Sequence, residues 1–427
     1  MSIELLLPLL LLILSFLIRI PIAAGMIIAS ILYFLLTNKD LGLVVEVMGE
    51  SLYTQYVVIA IPLFVFAANL MNTGTVSDRV FSFANALVGR FRGGLGQVNV
   101  LSSLVFSGMS GSSYADASGL GKLAISAMKK KGYDPGFSCA VTATSATVGP
   151  IFPPSIIMVM YAMLSGASVG ALFIAGIVPA ILMCLSLMIY IAYISHKRNY
   201  PYGAKYAMRD FLVYTFKALP ALFMPVILLG GIYSGIMTPT EAAGVAAFYT
   251  LIISVVVYRS LGIKEFWQVA VNSARMVGSL GFLLGGAILL SYVVAYERVA
   301  QILADSVLGY IDNPILLLIL INIVFLLLGM VLDVAVLLLI FTPIVLPLVA
   351  ALGIDLVHFG IVIIINMGIG TITPPFGMLL FIVSGVSKTK LYAIIKEIVP
   401  FVGIMIVILL LITLFPDIVL FLPNMIN

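Results

Sequence analysis

The feature that most restricts this fold is a set of helix-breaking residues that occurs twice at one constant spacing. Gly108-Met109 recurs as Gly329-Met330, and Gly132-Tyr133-Asp134 as Gly353-Ile354-Asp355. Gly149-Pro150-Ile151-Phe152-Pro153-Pro154 recurs as Gly370-Thr371-Ile372-Thr373-Pro374-Pro375. Each pair is 221 positions apart (329 − 108, 353 − 132, 370 − 149), so the stretches align without a gap. They lie inside or beside apolar segments. A single Gly or Pro in a membrane helix commonly serves only kinking and close packing. Doubling in register is different: interrupted apolar helices at corresponding places in two halves point to the binding site of a carrier.

Composition supplies the setting. Of 427 residues, 63% are hydrophobic and 9% charged. So few charges cannot cover a soluble domain of this length, and the long apolar runs mark a multi-pass protein surrounded by membrane lipid. The net charge of +4 comes from Lys and Arg at the ends of apolar runs. No basic face or helix is formed, which excludes nucleic acid as a partner. Cys139 and Cys184 both sit in apolar segments and read as membrane-packed thiols. Two histidines, His196 and His358, are too few for a His-rich metal site. Glu4 precedes the first apolar run and no Lys or Arg does, so the run reads as a retained helix rather than a cleaved signal.

Full spans are expected at 5–17, 22–36, 55–70, 137–164, 169–194, 214–232, 241–257, 277–295, 357–380 and 399–420. Two segments resist that reading. Around 97–128 an apolar arm runs into Ser107-Gly108-Met109-Ser110-Gly111-Ser112-Ser113 and out into a second, weaker arm. Around 314–352 two arms meet near Gly329 and Asp333. The arms of the first are too short to cross about 30 Å of hydrocarbon. Both segments read as re-entrant helical hairpins, whose irregular tips survive at membrane depth only inside protein or beside a watery cavity. Lys and Arg cluster at 79–92, 122–131, 197–217, 259–275 and 388–396. Those loops are assigned to the cytoplasm, and the loop around Asp312-Asn313 and the C-terminus to the outside. With both hairpins counted as non-crossing, five crossings separate the two broken spans, so the halves are inverted. The expected fold is an all-α, inverted-repeat membrane protein with repeats 1–205 and 206–427. Each repeat holds scaffold helices, one hairpin and one broken helix, the latter near 137–164 and 357–380.

The breaks carry the chemistry. Pro150, Pro153 and Pro154 remove backbone donors and clash with the preceding turn, so the helix unwinds. The freed carbonyls need partners, and a cation is one. Hairpin tips packed on the breaks would form two oxygen-rich pockets. Ser103, Ser107, Ser145, Val148 and Pro150 are candidates in the first half, and Gly329, Gly370 and Thr373 in the second. Carbonyls and helix C-termini suit Na+, whereas helix N-termini suit an anion. Neither break holds a carboxylate, which favours Na+ over H+ as the coupling ion. For Ser112 and Ser113 small-residue packing is an equally good reading. Asp116 and Asp333 follow the hairpin tips; a charge between Leu332 and Val334 costs a few kcal/mol unless paired, so Asp333 is either functional or a helix cap. Arg298 could hold a carboxylate bidentately or snorkel at the interface beside Glu297. Glu241 after Pro239-Thr240 reads as the first turn of a helix.

At these residues the chain resembles the large membrane subunit (DctM-type) of the tripartite ATP-independent periplasmic (TRAP) transporters. The resemblance spans nearly the whole chain. Its most specific pieces are Ser107 through Ala117, Gly149 through Ser155 and Gly370 through Gly377. It implies an elevator-type secondary transporter driven by a Na+ gradient, with at least two Na+ at the breaks and hairpins. It places substrate contacts at Ser110, Ser112, Asp116 and Asp333, with Arg298 added. The implied partners are a separate small four-helix membrane subunit (DctQ/SiaQ-type) and a periplasmic substrate-binding protein (DctP/SiaP-type). The implied cargo is a carboxylate: a C4-dicarboxylate, a sugar acid or sialic acid, with the sialic-acid branch the best match. The implied location is the bacterial inner membrane.

Two other classes compete. Gly108-Met109-Ser110-Gly111 fits the Gly-x-Ser-Gly pattern of intramembrane serine proteases, but such a serine needs a histidine base and neither histidine lies mid-span. A self-sufficient Na+/carboxylate elevator carrier fits the repeats equally well and is separated only by the family motifs. A passive channel would need an open polar pore, which nothing in the sequence forecasts.

Overall fold

The computed structural model describes every residue except 1–2, 55, 73, 204–205, 300, 303–305, 307–312 and 427. The expected repeat boundary at 205, the start of the span at Gln55 and Asp312 of the external loop lie outside the described residues. Among the described residues the secondary structure is helical, with one isolated bridge between Arg92 and Tyr202.

Each half contributes a hairpin and a broken helix, cut by the residues that repeat. The first hairpin is Gly94–Ser110, a left-handed Gly111, then Ser113–Ser118 and Leu120–Lys130. The first broken helix is Pro135–Ala146 and Ile156–Ser165. The second hairpin is Pro314–Gly329 and Val334–Ala351, and the second broken helix is Leu356–Gly370 and Met378–Ser387. Both Pro-Pro bonds, Pro153-Pro154 and Pro374-Pro375, are cis.

The two broken helices run antiparallel, as inversion of the repeats requires. Tyr161, late in the first, donates its hydroxyl to the Leu356 carbonyl at the start of the second, at 2.6 Å. Cys139, early in the first, lies 3.2 Å from Ser387 at the end of the second. There Lys129 also donates to the Ser387 carbonyl and the Thr389 hydroxyl, each at 2.8 Å. Four of the five basic clusters contribute to contacts at one end of the bundle. Arg92 bonds Asn199 and the Tyr200 carbonyl, Arg198 pairs with Asp134 and Glu397, and Arg79 donates to the Lys217 carbonyl.

Several boundaries differ from the sequence expectation. The span expected at 277–295 is part of a 34-residue helix, Ile263–Tyr296, whose first turns are amphipathic enough to extend it. The last span is Leu391–Leu414, not 399–420; Pro416 has no donor to continue the helix and starts a new one, Pro416–Ile426. The second arm of the second hairpin has 18 residues and is long and apolar enough to cross a membrane by itself, yet it folds back on Pro314–Gly329. Two further helices, Gly42–Thr54 and Gly74–Val88, were not expected; their charges (Glu46, Glu50, Asp78, Arg79) interrupt any apolar run. Glu241 does begin a helix, through a full capping box with Thr238.

Candidate solute and cation site

Each hairpin tip packs on the break of its own half, at glycines that are themselves repeat partners. A Cβ on Gly370 would lie 2.6 Å from the Gly329 carbonyl carbon. A Cβ on Gly149 would lie 2.9 Å from the Ser113 nitrogen. Real Cβ atoms do not approach so closely, so these backbones meet only because both residues are glycine. The Gly377 amide donates to the Met330 carbonyl at 3.1 Å, tying the second tip to the second break.

In the first half the tip and break enclose a polar pocket. Ser103 and Ser145 share a hydrogen bond of 3.0 Å. Ser107 donates to the Ser103 carbonyl at 2.6 Å, and Ser155 to the Pro150 carbonyl at 2.5 Å. Ser103, Ser107, Ser145 and Val148 are all buried. Asp116 faces Ser103 and is 1% exposed. Among the described residues neither of its carboxylate oxygens has a hydrogen-bond partner, and the Ser110 hydroxyl has none either. A buried, unpaired carboxylate is among the costliest groups a membrane interior can hold. A cation of oxygen-ligand preference would remove that cost, and the Ser103 hydroxyl beside Asp116 is itself bonded to Ser145 of the first broken helix. The residues present therefore fit Na+ chemically.

The second half has the same frame with other side chains. Asn366, the repeat partner of Ser145, donates to the carbonyl and to the Oδ1 of Asn322 on the second hairpin, each at 2.8 Å. Its own Oδ1 has no partner among the described residues. Thr373 donates to the Ile369 carbonyl at 2.7 Å. Gly329 and Gly370 are in mutual contact, as above.

Between the two tips lies a cavity of about 160 Å³. Its walls include Ser112, Ser113 and Tyr114 of the first tip, Asp333 to Ala335 of the second, Pro150 and Ile156 of the first broken helix, and Met276 and Leu280 of the long helix Ile263–Tyr296. The helices beginning at Ile156 and Val334 both point their N-termini at it, as does the shorter helix that starts at Ser113. N-terminal amides carry partial positive charge and favour an anion. Ser112 and Asp333 are repeat partners and do the same local job. Ser112 caps its helix by accepting from the Ala115 amide at 3.4 Å, and Asp333 by accepting from Ala335 at 2.9 Å. The second oxygen of Asp333 accepts a hydrogen bond from the Tyr114 hydroxyl, which joins the two tips.

Of the residues singled out in sequence, Pro150, Ser112 and Asp333 line the cavity. Ser103, Ser107, Ser145, Val148 and Asp116 lie behind it in the first-half pocket, with Ser110 buried at the tip. Gly329, Gly370 and Thr373 form the second tip contact. Arg298 is not brought to the cavity. It is exposed after the last turn of Ile263–Tyr296, in left-handed backbone at φ 51°, next to Glu297, which accepts the Tyr33 hydroxyl at 2.5 Å. Sequence reasoning did not single out Tyr114 or Ser155, and it named Asn366 only as the start of the second break. Asn366 was within reach of the same 221-residue spacing from Ser145; Tyr114 has no counterpart, since its repeat partner is Ala335.

Comparison with known proteins places this geometry. Residues 9–418 match the model of the family described as tripartite ATP-independent periplasmic transporter, DctM component. The chain is 37% identical over 406 residues to the sialic acid TRAP transporter large permease SiaM of Vibrio cholerae, covering 95% of each chain. It is 40% identical over 369 residues to the C4-dicarboxylate TRAP transporter large permease DctM of Pseudomonas aeruginosa, covering 86% of each. The crystal structure of the Alcanivorax borkumensis YdaH transporter, of unusual topology, shares the fold with a TM-score of 0.66 at 15% identity, over 88% of this chain and 87% of that one. These relatives are permeases, not enzymes, and large permeases of the family act with a small membrane subunit and a periplasmic binding protein. The chain therefore belongs to the DctM family: it is the multi-pass, inner-membrane large permease of a TRAP transporter.

Proposed function

We propose that this permease imports sialic acid (N-acetylneuraminate) by Na+-coupled secondary transport, receiving it from a SiaP-type binding protein with a SiaQ-type small subunit as membrane partner. The observation that carries the reading is the pairing of two environments. Helix N-termini converge on a cavity between the hairpin tips, and directly behind it an unpaired Asp116 sits beside the Ser103 hydroxyl. The first suits a carboxylate and the second suits Na+. Coupling follows from connection along one broken helix: Pro150 lines the cavity, and Ser145, five residues before it, is hydrogen-bonded to Ser103 of the first hairpin. Na+ bound there would hold the first tip and break together and so preform the anion site. The Asn322–Asn366 pair supplies a second Na+ position. The two hairpin tips and the first broken helix face Met276 and Leu280 across the cavity, which suits a moving unit sliding as an elevator against a scaffold. Two Na+ per monovalent anion would bring in one net positive charge, worth about 2.3 kcal/mol per 100 mV.

The similar identity to a C4-dicarboxylate permease supports a second cargo, and one assay separates them. The chain and its small subunit are placed in proteoliposomes, with the binding protein outside. Radiolabelled N-acetylneuraminate uptake that requires both the binding protein and an inward Na+ gradient is the expected result. Uptake of succinate or malate instead would reassign the cargo. Uptake without Na+ would remove the coupling, and uptake without the binding protein would indicate a self-sufficient carrier.

A further inference from the structure

We propose that Tyr114 is a specificity-determining residue that selects cargo carrying a hydrogen-bond donor, a hydroxyl or N–H, besides its carboxylate. This rests on the cavity between the hairpin tips being the solute site, and it assigns that site's chemistry more narrowly.

The inference starts from the bonds of Asp333. One oxygen caps its helix through the Ala335 amide, and the other accepts the Tyr114 hydroxyl. An ionised carboxylate only accepts, so the phenol proton is committed to Asp333. A phenol has one proton to give, and the Tyr114 oxygen is therefore left with acceptor capacity alone, on a residue that lines the cavity together with Asp333. Asp333 itself offers no free donor. Among the described residues lining the cavity none is Lys, Arg or His. The helix N-termini at Ile156 and Val334 are what would suit one carboxylate there. The Tyr114–Asp333 pair then forms an acceptor wall a short way off, on the opposite hairpin tip. A cargo hydroxyl or amide N–H meets that wall favourably; a bare methylene leaves it unsatisfied, and a second carboxylate is repelled. The pair is also specific to this arrangement of tips. The repeat partner of Tyr114 is Ala335, so the second half supplies the carboxylate and the first half the phenol, and neither hairpin forms the wall alone.

The test uses the purified complex of this chain with its small subunit. Thermal stabilisation is measured in Na+ with N-acetylneuraminate, malate or succinate as probe; malate and succinate differ by one hydroxyl. Stabilisation by a ligand follows its affinity. In the native complex malate should stabilise at lower concentration than succinate. Tyr114→Phe should raise the half-maximal concentration of N-acetylneuraminate and malate about tenfold, the worth of one hydrogen bond to a buried partner, and leave succinate unchanged. Asp333→Asn provides the second variant. Asn caps a helix as well as Asp does, but its amide can donate to the phenol oxygen, which turns the Tyr114 proton toward the cavity. A cargo hydroxyl can accept as well as donate, so malate keeps its partner, but the negative charge of the wall is gone: Asp333→Asn should lower the half-maximal concentrations of malate and succinate relative to that of N-acetylneuraminate. The inference is overturned if malate and succinate are equivalent in the native complex, if Tyr114→Phe weakens all three probes equally or none, or if Asp333→Asn leaves malate and succinate no better bound relative to N-acetylneuraminate. No Na+-dependent stabilisation by any of the three acids would instead overturn the carboxylate site itself, and this inference with it.

Discussion

Where the first half carries Ser103 and Ser145, the second carries Val324 and Asn366; where the first hairpin has Ser107, Ser112 and Asp116, the second has Leu328, Asp333 and Leu337. The backbone of the two halves is nonetheless alike, down to break glycines, Gly149 and Gly370, that each meet the backbone of a hairpin tip at close range. Frame and chemistry have thus been duplicated separately. Glycine and proline sit at matching positions because both halves must unwind a helix and bring a second backbone against it. The polar groups do not match, and among the described residues the first half holds most of the buried ones with an atom left without a partner: Gln97, Asn99, Ser102, Ser110, Asp116 and Ser195 against Ser254, Thr342 and Asn366. An unpaired buried group is a demand for a ligand. By that measure the first half makes the larger demand for a ligand, and the second lends the cavity its acceptor, Asp333.

The sharpest way to break this comparison is at Asp116. Asp116→Asn keeps the shape and removes the charge. It should lower Na+-driven uptake about tenfold to a hundredfold, the effect of about 1.5–3 kcal/mol at a charged ligand. Unchanged uptake in proteoliposomes would mean that the first half makes no such demand. Next come the glycines of the shared frame. Gly370→Ala drives a Cβ against three backbone atoms of Gly329, at 2.6, 2.7 and 2.9 Å, whereas Gly149→Ala meets only the Ser113 nitrogen below 3.0 Å. Overpacking of this kind costs about 1–3 kcal/mol. Both variants should lower the unfolding midpoint in detergent, Gly370→Ala by more; Gly385→Ala, with nothing near the added carbon, should not lower it.

The smallest effect concerns the cluster at one end of the bundle, where only the first half has an aromatic partner for its helix-start aspartate. Tyr200 donates to Asp134 at 2.6 Å, while the matching Asp355 is occupied with the Val357 and His358 amides. Burial, and then the Asp134 carboxylate, push the Tyr200 phenol up from 10.0 to about 12. The folded state thus keeps the proton to higher pH than the unfolded chain. Its stabilising contribution is complete below pH 10 and disappears as pH rises from 10 toward 12. Tyr200→Phe should cost about 0.5–1.5 kcal/mol at neutral pH and flatten the loss of stability across that alkaline window in thermal melts. An unaltered alkaline profile would show that Tyr200 does not titrate there.

How much of this was legible in sequence depended on which physical constraint each residue obeys. Gly149, Gly370 and the prolines were legible because steric demands on backbone admit few residue types, and the 221-residue spacing exposed them twice. Asp333 was legible as an apolar-flanked charge, but its two roles, helix cap and phenol acceptor, depend on Tyr114 arriving from 219 residues away. Tyr114 gave no signal, since a tyrosine beside serines is ordinary at any polar tip. Arg298 drew attention through its charge alone; its position is set by the end of Ile263–Tyr296, which extends it away from the cavity. The helices Gly42–Thr54 and Gly74–Val88 escaped notice because their apolar positions follow a helical stripe rather than a run.

The most direct test of the division between the halves is binding of radiolabelled Na+ to the purified chain, comparing Ser145→Ala with Asn366→Ala at repeat-equivalent positions. The account predicts that Ser145→Ala weakens Na+ binding by more than Asn366→Ala does. Equal losses, or full binding retained in Ser145→Ala, would contradict it.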